Sequence, residues 1–269
     1  ILLSKICLGG LASVSITDYR IKEYSIPAIE VSTDHPLEAC MASQLAGWRV
    51  KVGEFIANGS GPARALARKP KKLFEKIGYS EVSDEAVLVL ETDKYPDEKV
   101  VEYISNETGV KPENIYLVLV SPASIAGSVQ VSARIVETGI FKLDTLGFDI
   151  KTIVYGYGVC PVATLHNDAL KMAGRTNDML LYGGLTYYIV DYPDEEKLKG
   201  IIDKVPSSAS KDYGKSFTEL VEQYGWDFLY KVDPSIFAPA VVVINNIRTG
   251  RTLRSGKVNY EILEKALST

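Results

Sequence analysis

The amino-acid sequence predicts an α/β fold, because short apolar runs alternate with helical stretches. Residues 86–90 (AVLVL) and 115–120 (IYLVLV) are nearly continuous apolar runs, as in strands covered on both faces. Between them, residues 96–106 predict an amphipathic helix with acidic residues in its first turn. A long helical segment at 121–146 and a strand at 150–155 continue this order, which indicates a central α/β unit.

The segment before this unit predicts shorter elements. Residues 33–36 (TDHP) combine a capping residue with a proline, so we expect a helix over 36–46. Residues 49–55 alternate between polar and apolar side chains and predict a strand. A turn at 58–62 and a helix at 63–69 follow.

The last third of the chain has a different pattern of apolar residues. Residues 180–190 form a β-like run, and Thr249-Gly250 lies between two apolar segments in a pattern typical of a hairpin. The further predicted elements are strands at 241–247 and 251–254 and helices at 195–204, 215–224 and 259–267.

Composition restricts the class of protein. The chain has 269 residues and a net charge of −4, so we expect no nucleic acid as its main partner. Three separated cysteines and two histidines without metal-ligand spacing predict a reducing, cytoplasmic location and no metal. No apolar run approaches the roughly 20 residues of a membrane helix. The chain lacks an initiator methionine and a signal-like start, so we expect it to begin inside a longer gene product.

Residues 59–64 (GSGPAR) are the first candidate binding motif. Backbone N–H groups at a helix start suit an anion, and Arg64 adds positive charge, so Gly59, Ser60, Gly61 and Arg64 are candidate ligand contacts. The motif is not a Walker loop, since no Gly-Lys-Ser/Thr follows. Taken alone, it is more typical of a plain turn beside a solvated basic helix.

Residues 174–178 (GRTND) form the second candidate motif, predicted as a loop between a short helix and an apolar strand. Loops beside strand ends often hold ligand-contacting groups, which makes Arg175, Thr176, Asn177 and Asp178 candidate contacts. Asparagine and aspartate are also ordinary turn residues, so this motif alone decides nothing.

Arg134 and Glu137 form the third candidate, three residues apart in a small, apolar helical segment. At this spacing they share a helix face, where burial raises the pKa of a carboxyl and a guanidinium lowers it. Such a pair can hold a working base. Without other information, a surface ion pair worth a few tenths of a kcal/mol is the commoner explanation.

Ten stretches, in this order, together resemble the archaeal methenyltetrahydromethanopterin cyclohydrolases. They cover nearly the whole chain and are far more specific as a set than any single motif. They are 7–12 (CLGGLA), 33–36 (TDHP), 46–48 (AGW), 59–67 (GSGPARALA), 127–134 (GSVQVSAR), 137–139 (ETG), 174–178 (GRTND), 181–184 (LYGG), 212–215 (DYGK) and 237–240 (FAPA).

The resemblance implies a two-domain α/β subunit with a pterin pocket between the domains, assembled as a homotrimer. We assign 1–60 and 151–269 to one domain and 61–150 to the other. The resemblance also implies that family members carry several tens of residues before the stretch that matches Ile1. The implied reaction is the reversible hydrolysis of 5,10-methenyltetrahydromethanopterin to the 5-formyl compound, without metal, flavin or nicotinamide.

The family's functional arginine and glutamate match Arg134 and Glu137 in type and spacing, which reverses the preference for a surface ion pair. The methenyl carbon belongs to a cationic amidinium and is already electrophilic. The resemblance therefore assigns both proton transfers to Glu137 and the orientation of Glu137 to Arg134. Ser128 and Gln130, in the same matching stretch, are further candidate substrate contacts.

Two other functions compete with this one. A phosphate-handling transferase built on the motif at 59–64 lacks a P-loop and a metal-binding carboxylate pair. A pterin-binding protein without catalysis would keep the pocket, but binding a cation does not require the Arg134–Glu137 couple.

Overall fold

The computed structural model describes residues 1–225 and 228–268 and confirms the α/β class. The described strands form a larger and a smaller sheet. The larger sheet contains β1 (Ser13–Ile21), β2 (Tyr24–Thr33), β7 (Ile153–Pro161), β8 (Leu185–Val190), β9 (Val241–Asn246) and β10 (Arg251–Gly256), in that spatial order. The smaller sheet contains β3 (Trp48–Val52), β4 (Phe55–Ser60), β5 (Ala86–Glu91) and β6 (Ile115–Val120), also in that order.

Helices lie between these strands and at both ends of the described chain. A π-helix covers Leu37–Gln44, where the capping pattern predicts an α-helix. The α-helices are α1 (Leu2–Cys7), α2 (Ala63–Ala67), α3 (Lys71–Ile77), α4 (Glu98–Thr108), α5 (Ile125–Ser132), α6 (Ile135–Thr145), α7 (Ala169–Gly183), α8 (Glu195–Ile202), α9 (Phe217–Tyr224), α10 (Phe228–Lys231) and α11 (Tyr260–Ser268).

Strand pairing follows from the connections. β5 and β6 are parallel, as the predicted strand–helix–strand unit requires, and α4 is the crossover between them. The side chain of Asp97 caps α4 by accepting a hydrogen bond from Val100 N, and Gly109 ends the helix in the left-handed region. The predicted C-terminal hairpin is confirmed as β9 and β10, with Gly250 at a φ of 70° in its turn.

The predicted strand at 49–55 is wrong in its extent, because a hairpin divides it. Gly53 adopts a φ of 54°, and Val52 pairs with Phe55 across the turn. Residues 58–60 therefore belong to β4 rather than to the predicted turn. A hairpin with the same alternation on both arms looks like one strand in the sequence, since Gly53 is its only strong turn signal.

The predicted loop at 174–178 is also wrong, because these residues lie inside α7. Two of them, Gly174 and Asp178, bring α7 and α9 together. A Cβ on Gly174 would lie 2.1 Å from the Thr218 Oγ1 atom, so glycine permits α9 to pack closely against α7. Asp178 Oδ1 accepts a hydrogen bond from Phe217 N in the first turn of α9. Residues that disfavour helices by propensity are here used for a contact between helices.

The predicted helix over 121–146 divides into α5 and α6, with a break at Ala133 and Arg134. The predicted strand at 150–155 begins later, as β7, and the β-like run at 180–190 is the end of α7 followed by β8. The β1–β2 hairpin was not among the predicted elements.

The main apolar core lies between the larger sheet and the helices that cover it. α6 packs against β2, β7 and β8, and the π-helix packs against α6. A separate cluster, around Trp48, Leu88 and Ile104, fills the space between the smaller sheet and α4. The smaller sheet spans 48–120, so β3 and β4 come from the segment that we assigned to the first domain. The two-domain division stays a prediction.

Two glycines of β7 position the start of α6. A Cβ on Gly156 would lie 2.7 Å from the Val136 Cγ1 atom, and one on Gly158 would lie 2.8 Å from the Ile135 Cγ2 atom. The glycines therefore allow α6 to approach the sheet more closely than any side chain would permit. Tyr188 of β8 also donates a hydrogen bond to the Val136 carbonyl at 2.8 Å. The first turn of α6 is consequently fixed against two strands.

Candidate functional site

The first turn of α6 carries the candidate catalytic pair. Arg134 is the residue before the helix and Glu137 lies in its first turn. The spacing predicted one shared helix face, whereas Arg134 sits in the break between α5 and α6. The two side chains nevertheless meet, with Arg134 Nη1 at 3.5 Å from Glu137 Oε2. Both residues are less than a tenth exposed, so the surface ion-pair explanation is wrong.

The Arg134 guanidinium is held by three shorter contacts. Its Nη1 atom donates to the Gln44 carbonyl at 2.7 Å, at the end of the π-helix. Its Nη2 atom donates to Ser60 Oγ of β4 at 2.7 Å and to Glu91 Oε1 of β5 at 3.1 Å. These partners lie on the π-helix and on two strands of the smaller sheet. Arg134, which directly precedes α6, therefore connects the start of this helix to the π-helix and to two strands of the smaller sheet.

Glu137 is 6% exposed and has no neutral hydrogen-bond donor among the described contacts. Burial raises its pKa above the ordinary value, although the positive charges of Arg134 and Arg64 oppose the shift. A raised pKa makes a carboxylate a stronger base, and a positioned carboxyl group can both accept and return a proton. The site thus holds a carboxyl group suited to moving a proton in both directions.

Arg64 faces Glu137 from α2 but is fully buried, which the predicted solvated basic helix did not anticipate. Its guanidinium donates to the carbonyls of Lys69, Met41, Ala42 and Ser43 at 2.9–3.2 Å. Burial lowers its pKa to about 9. The structure places Arg64 as a buried charge that ties the π-helix to α2, rather than as an exposed anion contact.

Glu91 is a site residue that the motif analysis missed. It ends β5, is about one-fifth exposed at its side chain, and accepts hydrogen bonds from Arg134 Nη2 and from Gln130 Nε2 at 2.7 Å. One signal in the sequence could have found it: a carboxylate directly follows the buried run AVLVL. Ligand-binding side chains commonly follow the carboxyl ends of parallel strands.

Two buried amide oxygens beside this cluster have no partner. Gln44 donates its Nε2 to the Ala133 carbonyl at 2.9 Å, and Gln130 donates its Nε2 to Glu91. The Oε1 atoms of both glutamines are buried without a hydrogen bond. An unsatisfied buried acceptor costs about 1–3 kcal/mol, so these two oxygens are unfavourable features of the cluster. Gln130 was predicted as a contact, whereas Gln44 was missed.

The remaining residues of the motif at 59–64 have mixed positions. Ser60 belongs to the cluster through Arg134. Gly59 lies on β4 opposite Trp48, and Gly61 follows the strand with a φ of 112° and donates its N–H to the Ser43 carbonyl at 2.8 Å. The glycines therefore shape the backbone beside the cluster and hold the π-helix against β4.

Ser128 and Arg175 both donate hydrogen bonds to the loop that follows β7. Ser128 Oγ donates to the Ala163 carbonyl at 3.2 Å. Arg175 Nη1 donates to the carbonyls of Thr164 and Leu165 at 3.2 and 2.7 Å. Neither residue shares a hydrogen bond or ion pair with Arg134 or Glu137 among the contacts described for residues 1–225 and 228–268.

Thr176, Asn177 and Asp178 lie farther along α7. Thr176 and Asn177 bond back to the helix, to carbonyls of the preceding turn. Asp178 borders a recess of about 210 Å³ between α7, α9 and α11, and burial raises its pKa to about 7. The structure thus does not bring these three residues to the Arg134–Glu137 pair through any contact within the described part of the chain.

Within the described residues, no group of three or more His, Cys, Asp or Glu side chains is arranged to hold a metal ion. In the same part of the chain, no helix is both long and apolar enough to cross a bilayer.

The fold and the cluster together define an α/β protein with a buried carboxyl group beside a guanidinium that hydrogen bonds hold in place. Comparison with known families gives the particular one. The family model described as Cyclohydrolase (MCH) matches residues 1–267, and the chain belongs to this family.

Similar proteins from methanogenic archaea bear one name, methenyltetrahydromethanopterin cyclohydrolase. The protein of this name from Methanocaldococcus jannaschii is 49% identical across 99% of this chain and 83% of its own length. The one from Methanococcoides burtonii is 48% identical across 97% of this chain and 81% of its own length. The one from Methanothermobacter marburgensis is 45% identical, with 98% and 83% covered.

Proposed function

We propose that this protein hydrolyses 5,10-methenyltetrahydromethanopterin reversibly to 5-formyltetrahydromethanopterin. The observation that carries the proposal is the buried contact between Glu137 and Arg134, in a chain that belongs to the cyclohydrolase family. The names of the relatives supply the substrate, and the raised pKa of Glu137 supplies a suitable proton carrier.

Glu137 performs both proton transfers in this proposal. A water molecule attacks the cationic methenyl carbon, a C–O bond forms, and Glu137 accepts the proton that the water loses. Glu137 then returns this proton to the departing ring-bridge nitrogen as the C–N bond breaks. The hydroxyl of the adduct gives its own proton to the solvent as it becomes the formyl oxygen, so one proton is released per turnover.

Arg134 positions the carboxyl group. Its contacts with the Gln44 carbonyl, Ser60 and Glu91 fix the guanidinium, and the guanidinium in turn fixes Glu137. General acid–base help of this kind contributes roughly 10²–10⁴-fold. The unpaired Oε1 atoms of Gln44 and Gln130 are suited to receive hydrogen bonds from the attacking water or from the pterin ring.

The proposal also covers the location, the oligomeric state, the cofactor requirement and the other substrate contacts. The protein acts in the cytoplasm as a homotrimer and requires no metal or organic cofactor, since the amidinium cation needs no Lewis acid. The further substrate contacts that we propose are Gly59, Gly61, Ser128, Arg175, Thr176, Asn177 and Asp178, in addition to Ser60 and Gln130.

Loss of the methenyl absorbance on mixing protein and substrate tests this function. Enzyme-dependent loss, with the formyl compound as product, supports hydrolysis. A pterin-binding protein without catalysis would change the spectrum by at most one equivalent and would then leave the absorbance constant. That second outcome, or transfer of a phosphate group instead, would overturn the proposal.

A further inference from the structure

Arg134 stands between two carboxylates, and the nearer of them is not Glu137. Its Nη2 atom is 3.1 Å from Glu91 Oε1, whereas its Nη1 atom is 3.5 Å from Glu137 Oε2. Burial alone would lower the pKa of Arg134, but the charges of Glu91 and, second, of Glu137 raise it above its ordinary value. Glu91 is therefore the principal counter-charge of the guanidinium.

A single oxygen of Glu91 organises two neighbours. Its Oε1 atom accepts from Arg134 and also from Gln130 Nε2 at 2.7 Å. Both donors are at least nine-tenths buried; Gln130 lies in α5, and Arg134 lies in the break before α6. The carboxylate at the end of β5 thus fixes the orientation of two side chains that precede α6.

This arrangement solves a conflict in the proposed chemistry. A guanidinium paired closely with Glu137 would stabilise its ionised form and make it a weaker base. Here the short hydrogen bonds of Arg134 go to Gln44, Ser60 and Glu91, and the contact with Glu137 is the longest. The arginine can orient Glu137 while another carboxylate balances its charge.

Resting on the proposed function, we propose that Glu91 is a positioning residue for the hydrolysis. It anchors Arg134 and Gln130 so that Glu137 remains free to take up and release the proton. Glu91 acts through Arg134 and does not itself exchange the proton.

The charged and titratable groups around Glu137 set the expected pH effect. Arg134 and Arg64 lower the pKa of Glu137, whereas Glu91 raises it, and Cys40 and Tyr188 face the carboxyl group from the π-helix and from β8. Burial also raises the pKa of Cys40 and of Tyr188 well above the ordinary values, so neither thiol nor phenol ionises near neutral pH.

The test is the pH dependence of kcat for Glu91→Gln, followed through the methenyl absorbance. Glutamine keeps an acceptor for Arg134 and Gln130 but removes the charge, so the guanidinium turns to Glu137. The acidic limb of the profile should move down by about 0.5 pH unit or more, because the pKa of Glu137 falls. The plateau of kcat should drop roughly 3- to 30-fold with the weaker base.

Two further variants complete the design. Glu91→Asp keeps the charge and should retain the wild-type limb even where kcat is reduced. Glu85→Gln makes the same charge change at an exposed residue just before β5 and should alter neither quantity.

A lowered kcat in Glu91→Gln with an unmoved acidic limb would reduce Glu91 to a structural role and overturn the inference, as would wild-type kinetics. If Glu91→Gln does not fold, Glu91→Asp decides instead: a shift of the acidic limb of its kcat profile away from the wild-type position would overturn the inference. Wild-type protein that never consumes the methenyl compound would refute the proposed function itself, a separate outcome.

Discussion

Replacement of Glu137 by glutamine is the most informative perturbation of the proposed mechanism. Glutamine has nearly the same shape and fits the same buried site on the first turn of α6. It cannot accept the proton from water or return it to the departing nitrogen. Since general acid–base catalysis contributes roughly 10²–10⁴-fold, we expect kcat to fall by about 10²-fold or more.

The fold should tolerate this substitution, and the sign of the pKa shift gives the reason. The pKa of Glu137 is raised in the folded protein, so the folded protein binds the Glu137 proton more tightly than the unfolded chain does. Ionised Glu137 therefore lowers stability at pH values above its unfolded pKa. A neutral glutamine removes this unfavourable contribution, and Arg134 keeps Glu91 as its counter-charge, so Glu137→Gln should remain folded at neutral pH.

The assay combines three measurements on Glu137→Gln and on the control Glu85→Gln. They are kcat from the methenyl absorbance, equilibrium binding of the reduced coenzyme, and the thermal unfolding temperature. We expect lost turnover with retained binding and retained stability for Glu137→Gln only. A folded Glu137→Gln protein with near-normal kcat would refute the assignment of the proton carrier.

Four further predictions concern other groups. Arg134→Ala should lower kcat at least 10-fold, and combined with Glu137→Gln it should lose less than the sum of the two effects, because the residues act as one unit. A strong chelator should leave activity intact; loss of activity that zinc restores would contradict the metal-free mechanism. Arg175→Ala should raise KM more than it lowers kcat, and the opposite pattern would place Arg175 in the catalytic group. Burial raises the pKa of Asp178 from 3.8 to about 7, so the free energy of unfolding should fall as pH rises between these values. In denaturant titrations at several pH values, the free energy of unfolding of Asp178→Asn should depend less steeply on pH than that of the wild type. The same pH dependence in both proteins would contradict this.

The sequence predicted those elements whose pattern is local. The apolar runs of β5 and β6, the crossover helix α4 and the β9–β10 hairpin each carry their own periodicity and end signals. The elements that were predicted wrongly depend on tertiary contacts. Gly174 and Asp178 disfavour a helix by propensity, yet α7 continues through them because they pack against α9.

The site was predictable to a similar extent. Arg134 and Glu137 are three residues apart in the sequence, so their pairing required no knowledge of the fold. Glu91 and Gln44 reach the same guanidinium from 43 and 90 residues away, through a strand and a π-helix. Such contacts depend on how the start of α6, the π-helix and the smaller sheet pack together, which no local pattern encodes.

The central claim is that this protein adds water to a methenyl carbon with Glu137 as the proton carrier. Turnover of the methenyl coenzyme in ¹⁸O-labelled water, analysed early by mass spectrometry of the formyl product, tests it most directly. We predict one ¹⁸O atom per formyl group, formed at a rate that follows wild-type enzyme concentration and falls about 10²-fold or more with Glu137→Gln. Label that enters at the same rate with wild type, with Glu137→Gln and without protein would contradict the account.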